Sequence, residues 1–200
     1  MRPGLTILVP TLSDGSRPYT GMVVDRFRET LERESITFDI ELLYDYPSWG
    51  QAVIAGLEAG TREWVLAAGD DGYVVEDRWW DRARRLAFET GGLVGAALVR
   101  SDNGAAANVQ SERALQLGGQ SFPAAHLSFP LAHRSVWDRL QPLCPSHHYA
   151  DCYMAERALR LGVSVYLCGG WTMIHYCDSP DQPGDVDVYE SHKRRHLHAA

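Results

Sequence analysis

The chain has 200 residues, which is typical of one domain, and a domain of this size can bury a stable core without disulfides or a structural metal. Apolar residues make up 45% and charged residues 22% of the composition, and these proportions exclude a wholly disordered chain. The net charge of −7 argues against a protein that grips a nucleic-acid backbone with its whole surface, although a local basic groove is compatible with it.

Two further features bear on the compartment. The longest run of small or apolar residues, 91–99, is too short to span a bilayer, and the first residues contain no apolar signal segment. The four cysteines have neither C-x-x-C nor zinc-site spacing; they are Cys144, Cys152, Cys168 and Cys177. We therefore expect buried thiols in a reducing, cytoplasmic setting, with disulfides as the alternative.

The first third of the chain alternates strand and helix patterns. Short apolar runs predict strands at 5–9, 38–44 and 64–68, and apolar residues at helical spacing predict helices over 23–31 and 53–60. Strands that alternate with helices indicate a parallel sheet covered by helices. We expect an α/β protein with a single-domain α/β/α sandwich and a mostly parallel central sheet.

The rest of the chain continues the alternation. The predicted helices are 79–89, 136–140 and 151–161, and the predicted strands are 93–99 and 163–167. The segment 101–120 is polar and rich in alanine and glycine, so we interpret it as a mobile loop that packs no core. Residues 1–190 would form the folded domain, and the basic residues 191–200 a disordered tail.

Polar residues follow each of the first three predicted strands. Pro10 and Thr11 follow the first, Asp45 the second, and the pair Asp70 and Asp71 the third. In open α/β sheets, ligands bind beyond the carboxyl ends of the strands. Adjacent carboxylates repel each other unless a cation or a proton intervenes, and a divalent metal is the simplest solution. The alternative is that the acidic pair lies in a solvated turn, because aspartate and glycine are favoured there.

Later residues allow a chemical and a structural interpretation. Asp151 begins a predicted helix, where it could act as a general base or cap the helix. His175 could be a metal ligand or a hydrogen-bonded core histidine. His147 and His148 could contact an acceptor or a phosphate, although adjacent histidines in such a loop are usually surface residues.

The order of these features over residues 5–175 resembles the family 2 glycosyltransferases with the GT-A fold. The run 6–11 is similar to the opening strand of that family, which ends in a nucleotide-contacting Pro-Thr or Pro-Ser, here Pro10 and Thr11. Asp45 stands where the family has an acidic residue that reads uracil or ribose, although the usual Gly-Ser-Thr-Asp turn does not follow it.

The acidic pair carries the closest part of the resemblance. Asp70 and Asp71 match the D-x-D element of the family, which implies that Asp70 contacts the donor and Asp71 the metal. Asp151 matches the aspartate of the Glu-Asp helix of the family and is the implied base, with Ala150 in place of the usual glutamate. His175 falls where a late histidine commonly completes the metal or diphosphate site.

The resemblance implies a metal-dependent, inverting glycosyltransferase that moves one sugar from a nucleotide-sugar donor, expected to be UDP-linked, to a hydroxyl acceptor. Carboxylate ligands suit manganese or magnesium, and one imidazole favours manganese. The sequence contains no Q-x-x-R-W element, which disfavours a processive polysaccharide synthase. A modified DNA base, as in minimal bacteriophage members, a glycan, a lipid and a small metabolite all remain possible acceptors.

Two other functions compete with this one. The same fold could serve as a non-catalytic module that binds nucleotides or glycans. A metal-dependent nucleotidyltransferase or phosphohydrolase would also need acidic clusters. Dinucleotide-binding and serine-hydrolase motifs are absent from the sequence.

Overall fold

The computed structural model describes residues 4–14, 16–176 and 184–197. The strands are β1 (Leu5–Thr11), β2 (Phe38–Tyr44), β3 (Trp64–Ala67), β4 (Gly72–Val74), β5 (Leu93–Ser101), β6 (Phe122–Pro123), β7 (Leu131–His133) and β8 (Val165–His175). The helices are α1 (Thr20–Arg33), α2 (Trp49–Ala59), α3 (Trp79–Thr90), α4 (Val109–Gln116), α5 (Arg134–Leu140), α6 (Ala150–Arg160) and α7 (Asp185–His196).

All eight strands of the described residues belong to one sheet, in the order β2-β1-β3-β7-β5-β8-β4, with β6 beside β8. β1 pairs in parallel with β2 and β3, and β5 pairs in parallel with β8. β7 is antiparallel to both β3 and β5, so the five longest strands all run in the same direction. The predicted α/β architecture with a mostly parallel sheet is confirmed.

Helices cover both faces of the sheet. Successive side chains of a strand point to opposite faces, so Leu5, Ile7 and Val9 of β1 pack into the core beneath α1 and α3, whereas Leu8 packs into the other core with α2, α5 and α6. Trp79 fills the first core and Trp137 the second, and both side chains are fully buried. The sheet is therefore the middle layer of a three-layer sandwich.

The expectation that residues 101–120 pack no core is wrong for part of that segment. β5 continues to Ser101, and α4 follows with Asn108 as its N-cap. Ala114 is buried, and the Ser111 hydroxyl accepts a hydrogen bond from the Val99 N–H at 2.9 Å. Ser111 and Ala114 have small side chains, so α4 packs closely against β5.

Residues 191–196 form the second half of α7, so the expectation of a disordered tail over 191–200 is wrong for these residues, and 198–200 lie outside the described residues. The helix is fixed to α6 by side-chain contacts. Lys193 Nζ lies 2.8 Å from the Glu156 carboxylate, and Arg160 donates to the Leu197 carbonyl at 2.9 Å. Leu197 itself is buried.

β8 is longer than the predicted strand 163–167. It continues past Gly169 and Gly170 to His175, with an irregularity in its pairing to β5 opposite residues 96–98. Cys144, Cys152 and Cys168 are free thiols, as expected. Cys144 and Cys168 are also buried, whereas Cys152 is only partly buried, and Cys177 lies outside the described residues. None of the helices in the described part of the chain is long and apolar enough to cross a membrane.

Candidate functional site

A cavity of about 350 Å³ lies at the carboxyl ends of β1 and β3, below the segment that precedes α6. Six of the seven site residues predicted from the sequence line it. They are Pro10, Thr11, Asp70, Asp71, Asp151 and His175. The parallel strands explain this convergence, because their carboxyl ends meet at one edge of the sheet.

Asp71 and His175 are brought together by the pairing of β4 with β8. Gly72 is the register partner of His175, and the Tyr176 N–H donates to the Asp71 carbonyl at 2.8 Å. His175 Nε2 therefore lies 3.3 Å from Asp71 Oδ2. Burial acts to lower the pKa of His175, but the hydrogen bond and charge of Asp71 together with the charge of Asp151 outweigh it, and the resulting pKa is raised.

Asp70 is almost fully enclosed, with 7% of its surface exposed. Its Oδ2 atom is buried without a hydrogen bond among the described residues, and Arg17 Nε lies 3.8 Å from it. Burial raises the pKa of the Asp70 carboxyl, although a hydrogen bond from Thr11 and the charge of Arg17 act in the opposite direction. A buried carboxylate oxygen of this kind would accept a cation or a donor proton.

The residues present fit a divalent metal only if the substrate supplies ligands too. Across the described ranges, no group of three or more His, Cys, Asp or Glu side chains is arranged to hold a metal. Asp71 and His175 together offer one carboxylate oxygen and one imidazole nitrogen. Magnesium and manganese commonly take their other ligands from water and substrate phosphates, so two protein ligands are compatible with such a site.

Asp151 is the second residue of α6, and Tyr149 is the N-cap of that helix. Asp151 is therefore not the helix cap that the structural interpretation assumed, although its Oδ1 accepts a hydrogen bond from the Cys152 N–H at 2.7 Å. Burial raises the pKa of the Asp151 carboxyl. The Asp151 charge also contributes to raising the pKa of His175, so the two groups share one electrostatic environment.

Asp45 is the one predicted site residue that does not line the cavity. It is exposed, and the N–H and hydroxyl of Ser13 donate to its carboxylate at 2.9 and 2.5 Å. The same contacts lower the pKa of Asp45. The Asp45 carboxylate thus stabilises the turn after β1. The position of Asp45 at a strand end did not predict this structural role.

The cavity lining also contains Trp49, which the sequence did not single out, and His147, which it offered only as a possible contact of an acceptor or a phosphate. Trp49 lines the cavity, and its indole N–H donates to the Ala68 carbonyl at 2.7 Å. The Trp49 backbone N–H donates to His147 Nδ1 at 3.3 Å, which leaves the ring proton of neutral His147 on Nε2. Burial and the charge of His148 lower the pKa of His147, which favours the neutral ring.

His147 and His148 line the cavity and are not the surface residues that adjacent histidines usually are. Their backbone N–H groups donate to the two carboxylate oxygens of Asp185 at 2.6 and 2.7 Å. Asp185 is the first residue of α7 and is buried. The sequence gives no local signal for this contact, because it joins residues 37 and 38 positions apart.

Solved structures that resemble this fold include glycosyltransferases. The catalytic domain of Drosophila beta1,4-galactosyltransferase 7 in complex with xylobiose superposes with a TM-score of 0.61 at 11% identity, over 84% of this chain and 66% of that one. A mutant of the same Drosophila enzyme with manganese, UDP-Gal and xylobiose gives a TM-score of 0.65 at 10% identity, over 93% of this chain and 79% of that one.

A third structure, GalNAc-T7 with UDP, GalNAc and Mn²⁺, gives a TM-score of 0.62 at 8% identity, over 94% of this chain and 48% of that one. This chain therefore spans about half to four fifths of the structures it resembles. No protein-family profile and no curated protein sequence matches it. At these identities the likeness concerns the fold, and the chain has the GT-A-like fold of these glycosyltransferases.

Proposed function

We propose that the protein is a metal-dependent glycosyltransferase that moves one sugar from a UDP-linked donor to a hydroxyl acceptor with inversion. The observation that carries the proposal is that Asp71, His175 and Asp151 all line the same cavity. A metal and diphosphate site beside a separate carboxylate is what such a transfer needs. The structural neighbours contain manganese with UDP-Gal, or UDP, GalNAc and Mn²⁺, which supports the same class of reaction.

Asp71 and His175 would hold the metal, because their ligand atoms lie 3.3 Å apart on the cavity wall. When bound, the ion acts as a Lewis acid that neutralises the charge developing on the departing diphosphate. Asp70 would contact the donor through its buried carboxylate, with Arg17 beside it as a cation that faces the same space.

The nucleotide would lie along the edge formed by Pro10, Thr11 and Trp49, all of which line the cavity. The indole ring gives an apolar surface on which a base can stack. His147 would donate its Nε2 proton to a phosphate oxygen, because its Nδ1 already accepts from Trp49. This donor requires only the neutral ring, and the lowered pKa of His147 favours that form.

Asp151 would be the general base. Its carboxylate takes the proton from the acceptor hydroxyl while the hydroxyl oxygen bonds to the anomeric carbon and the bond from that carbon to the diphosphate breaks. Attack from the face opposite the leaving group inverts the anomeric centre. The raised pKa of Asp151 suits this role, because a more basic carboxylate accepts a proton more readily.

Asp71→Ala tests the metal and donor site. We expect titration calorimetry with UDP and manganese to show UDP affinity at least tenfold weaker than in the parent, because the metal loses one of its two protein ligands. The matched control is Asp77→Ala, since Asp77 is exposed and pairs with Arg33 away from the cavity. Parent-like, manganese-dependent UDP binding in Asp71→Ala would overturn the assignment.

The activity itself is tested by product analysis with a panel of UDP-sugars and hydroxyl acceptors. Transfer would give UDP and a glycoside of the acceptor with the inverted anomeric configuration. Tight UDP binding without any turnover would indicate a binding module instead. A product that carries a nucleoside monophosphate would indicate a nucleotidyltransferase.

A further inference from the structure

A second cavity, also of about 350 Å³, adjoins the first. It lies between β5, the start of α4 and the segment 126–128, and α6 closes one side. Asp151 and Ser128 line both cavities, so the proposed base stands at the junction between them. A group in the second cavity can thus present a hydroxyl to Asp151 while a donor occupies the first.

The wall of this second cavity is mainly apolar. Its floor is made of small or branched aliphatic side chains, including Ala96, Ala97 and Leu167. Val109, the first residue of α4, lies at the cavity with 78% of its surface exposed. Among the described residues that line it, none is a Lys or Arg and His126 is the one basic side chain, while the Asp151 carboxylate would repel a phosphorylated acceptor.

Several polar groups on this wall already bond to the chain. The Asn108 side-chain oxygen accepts from the N–H and hydroxyl of Ser111 at 2.8 and 3.0 Å, and Gln110 Nε2 donates to the His126 carbonyl at 2.9 Å. Burial and the neighbouring Asp151 raise the pKa of the Cys152 thiol to about 12, so it stays a neutral, weakly polar group. An oligosaccharide would find few partners here for its many hydroxyl groups.

The volume of the second cavity limits the size of the group that it can enclose. A cavity of about 150 Å³ lined by apolar side chains holds benzene, so a space a little over twice that volume accommodates about one or two rings. An extended chain of sugars does not fit within it. A compact apolar body with one hydroxyl matches both the volume and the lining.

Building on the proposed function, we propose that the second cavity is the acceptor site and takes a small aromatic or alicyclic alcohol, whose hydroxyl is directed to Asp151. Transfer then joins the anomeric carbon of the donor to the oxygen of this alcohol, its proton passes to Asp151, and UDP leaves. The apolar body is held by the aliphatic wall, and Val109 covers part of it at the mouth.

The test measures binding of two probes, 2-naphthylmethanol and xylobiose, to the full chain with UDP and magnesium, by ligand-observed saturation-transfer NMR. We expect 2-naphthylmethanol to bind at least tenfold more tightly than xylobiose. Val109→Asp should weaken 2-naphthylmethanol at least fivefold, because entry of the ring would strip water from the new carboxylate. Leu115→Asp is the matched control, since Leu115 is an exposed residue of the same helix that lines neither cavity.

Thermal unfolding of both variants tests whether they remain folded, and their UDP affinity should equal that of the parent. Tighter binding of xylobiose, or equal effects of Val109→Asp and Leu115→Asp on 2-naphthylmethanol, would overturn the acceptor proposal while UDP binding stays intact. A different result would be that the parent chain does not bind UDP but still binds 2-naphthylmethanol, and that Val109→Asp weakens this binding. That result would contradict the proposed function and show that the second cavity is an apolar ligand site.

Discussion

Asp151 has two different surroundings, and both fit the role of general base proposed for it. On one side it faces the charged edge that contains His175, and on the other the apolar wall of the second cavity. Burial raises its pKa, whereas the N–H of Cys152 stabilises its charged form through a 2.7 Å hydrogen bond. The hydrogen bond fixes the position of the carboxylate, and the raised pKa agrees with the proposed role as a proton acceptor.

Asp151→Asn separates catalysis from structure. The amide retains an oxygen that can accept from the Cys152 N–H, but it cannot take a proton from the acceptor. We expect turnover to fall by about 10²–10⁴-fold, with UDP affinity nearly unchanged. Steady-state rates and calorimetry on the same preparation measure the two quantities. Turnover within about threefold of the parent would reject the base assignment.

The sequence located the charged half of the site because strand ends can be recognised locally. Asp70 and Asp71 directly follow an apolar run, and parallel strands must end at a common edge. The opposite half depends on contacts that no local pattern encodes. The Trp49 N–H donates to His147 Nδ1, although the two residues are 98 positions apart. Asp45 does not line the cavity, and Ser13 donates to its carboxylate instead. The roles of all these residues stay predictions until they are tested.

At the scale of elements, α7 links the end of the described chain to the candidate site. Its first residue, Asp185, binds the backbone of His147 and His148, and its later turns contact α6 through Glu156. The cavity wall is therefore supported by a helix that does not itself line the cavity.

Asp185→Asn removes one of the two carboxylate oxygens that hold the histidine segment. Hydrogen bonds to a charged group contribute about 1.5–3 kcal/mol, so we expect unfolding free energy to fall by about 1–3 kcal/mol. UDP affinity should fall with it, because His147 is no longer fixed against Trp49. Urea unfolding and calorimetry measure both effects. Asp187→Asn, an exposed aspartate of the same helix turn, should change neither; equal effects of the two variants would contradict the supporting role.

The contact between α6 and α7 should depend on pH. Burial acts to raise the pKa of Glu156, but Lys193 and Arg160 act more strongly, and the resulting pKa is below its ordinary value of 4.5. A lowered carboxyl pKa stabilises the fold above that ordinary value, and this stabilisation is lost as the pH falls through the lowered pKa.

Glu156→Gln should therefore be less stable than the parent at pH 7, by below about 1 kcal/mol because both partners are partly exposed. The difference should shrink as the pH falls through the lowered pKa of Glu156, below which the parent carboxyl is also neutral. Urea unfolding of both proteins over a series of pH values from 7 downward measures this difference. A gap that stays the same at every pH would show that the charge of Glu156 contributes nothing to the α6–α7 contact.

The sequence predicted α1, α3, β1 and β2 and missed the three shortest strands, and element length explains both results. α1 and α3 have apolar residues at helical spacing, and β1 and β2 are runs of seven residues, so each contains its own periodic signal. β4 and β7 have three residues each and β6 has two, which is too few for any periodicity. They exist because longer neighbours offer unpaired edges, as β8 does for β4.

At the scale of the whole molecule, Gly50 in α2 is a point of close contact between the first half of the chain and the segment 144–146 of the second half. Its N–H donates to the Ser146 carbonyl at 2.9 Å. A Cβ at this position would lie 2.2 Å from the Cys144 carbonyl oxygen and 2.7 Å from that of Ser146. These are backbone atoms that cannot move aside like a flexible side chain.

Gly50→Ala should thus lower the unfolding free energy by about 1–3 kcal/mol, as overpacking does elsewhere. The matched control is Gly21→Ala in α1, where nothing lies within 4 Å of the added carbon. There the better helix former should raise stability by about 0.5–1 kcal/mol. If the contact is this close, chemical unfolding should show that the unfolding free energy falls in Gly50→Ala and rises in Gly21→Ala. The same sign in both would indicate that the segment 144–146 is displaced easily from α2.

The position of Trp49 has an optical consequence. The other five tryptophans are buried in the two cores, whereas Trp49 is partly exposed and lines the proposed donor cavity with its indole N–H bound to the Ala68 carbonyl. A molecule that enters this cavity changes the polarity around one indole and leaves the surroundings of the other five nearly constant. The intrinsic fluorescence of the unlabelled chain is therefore a local reporter of occupancy at this edge of the sheet.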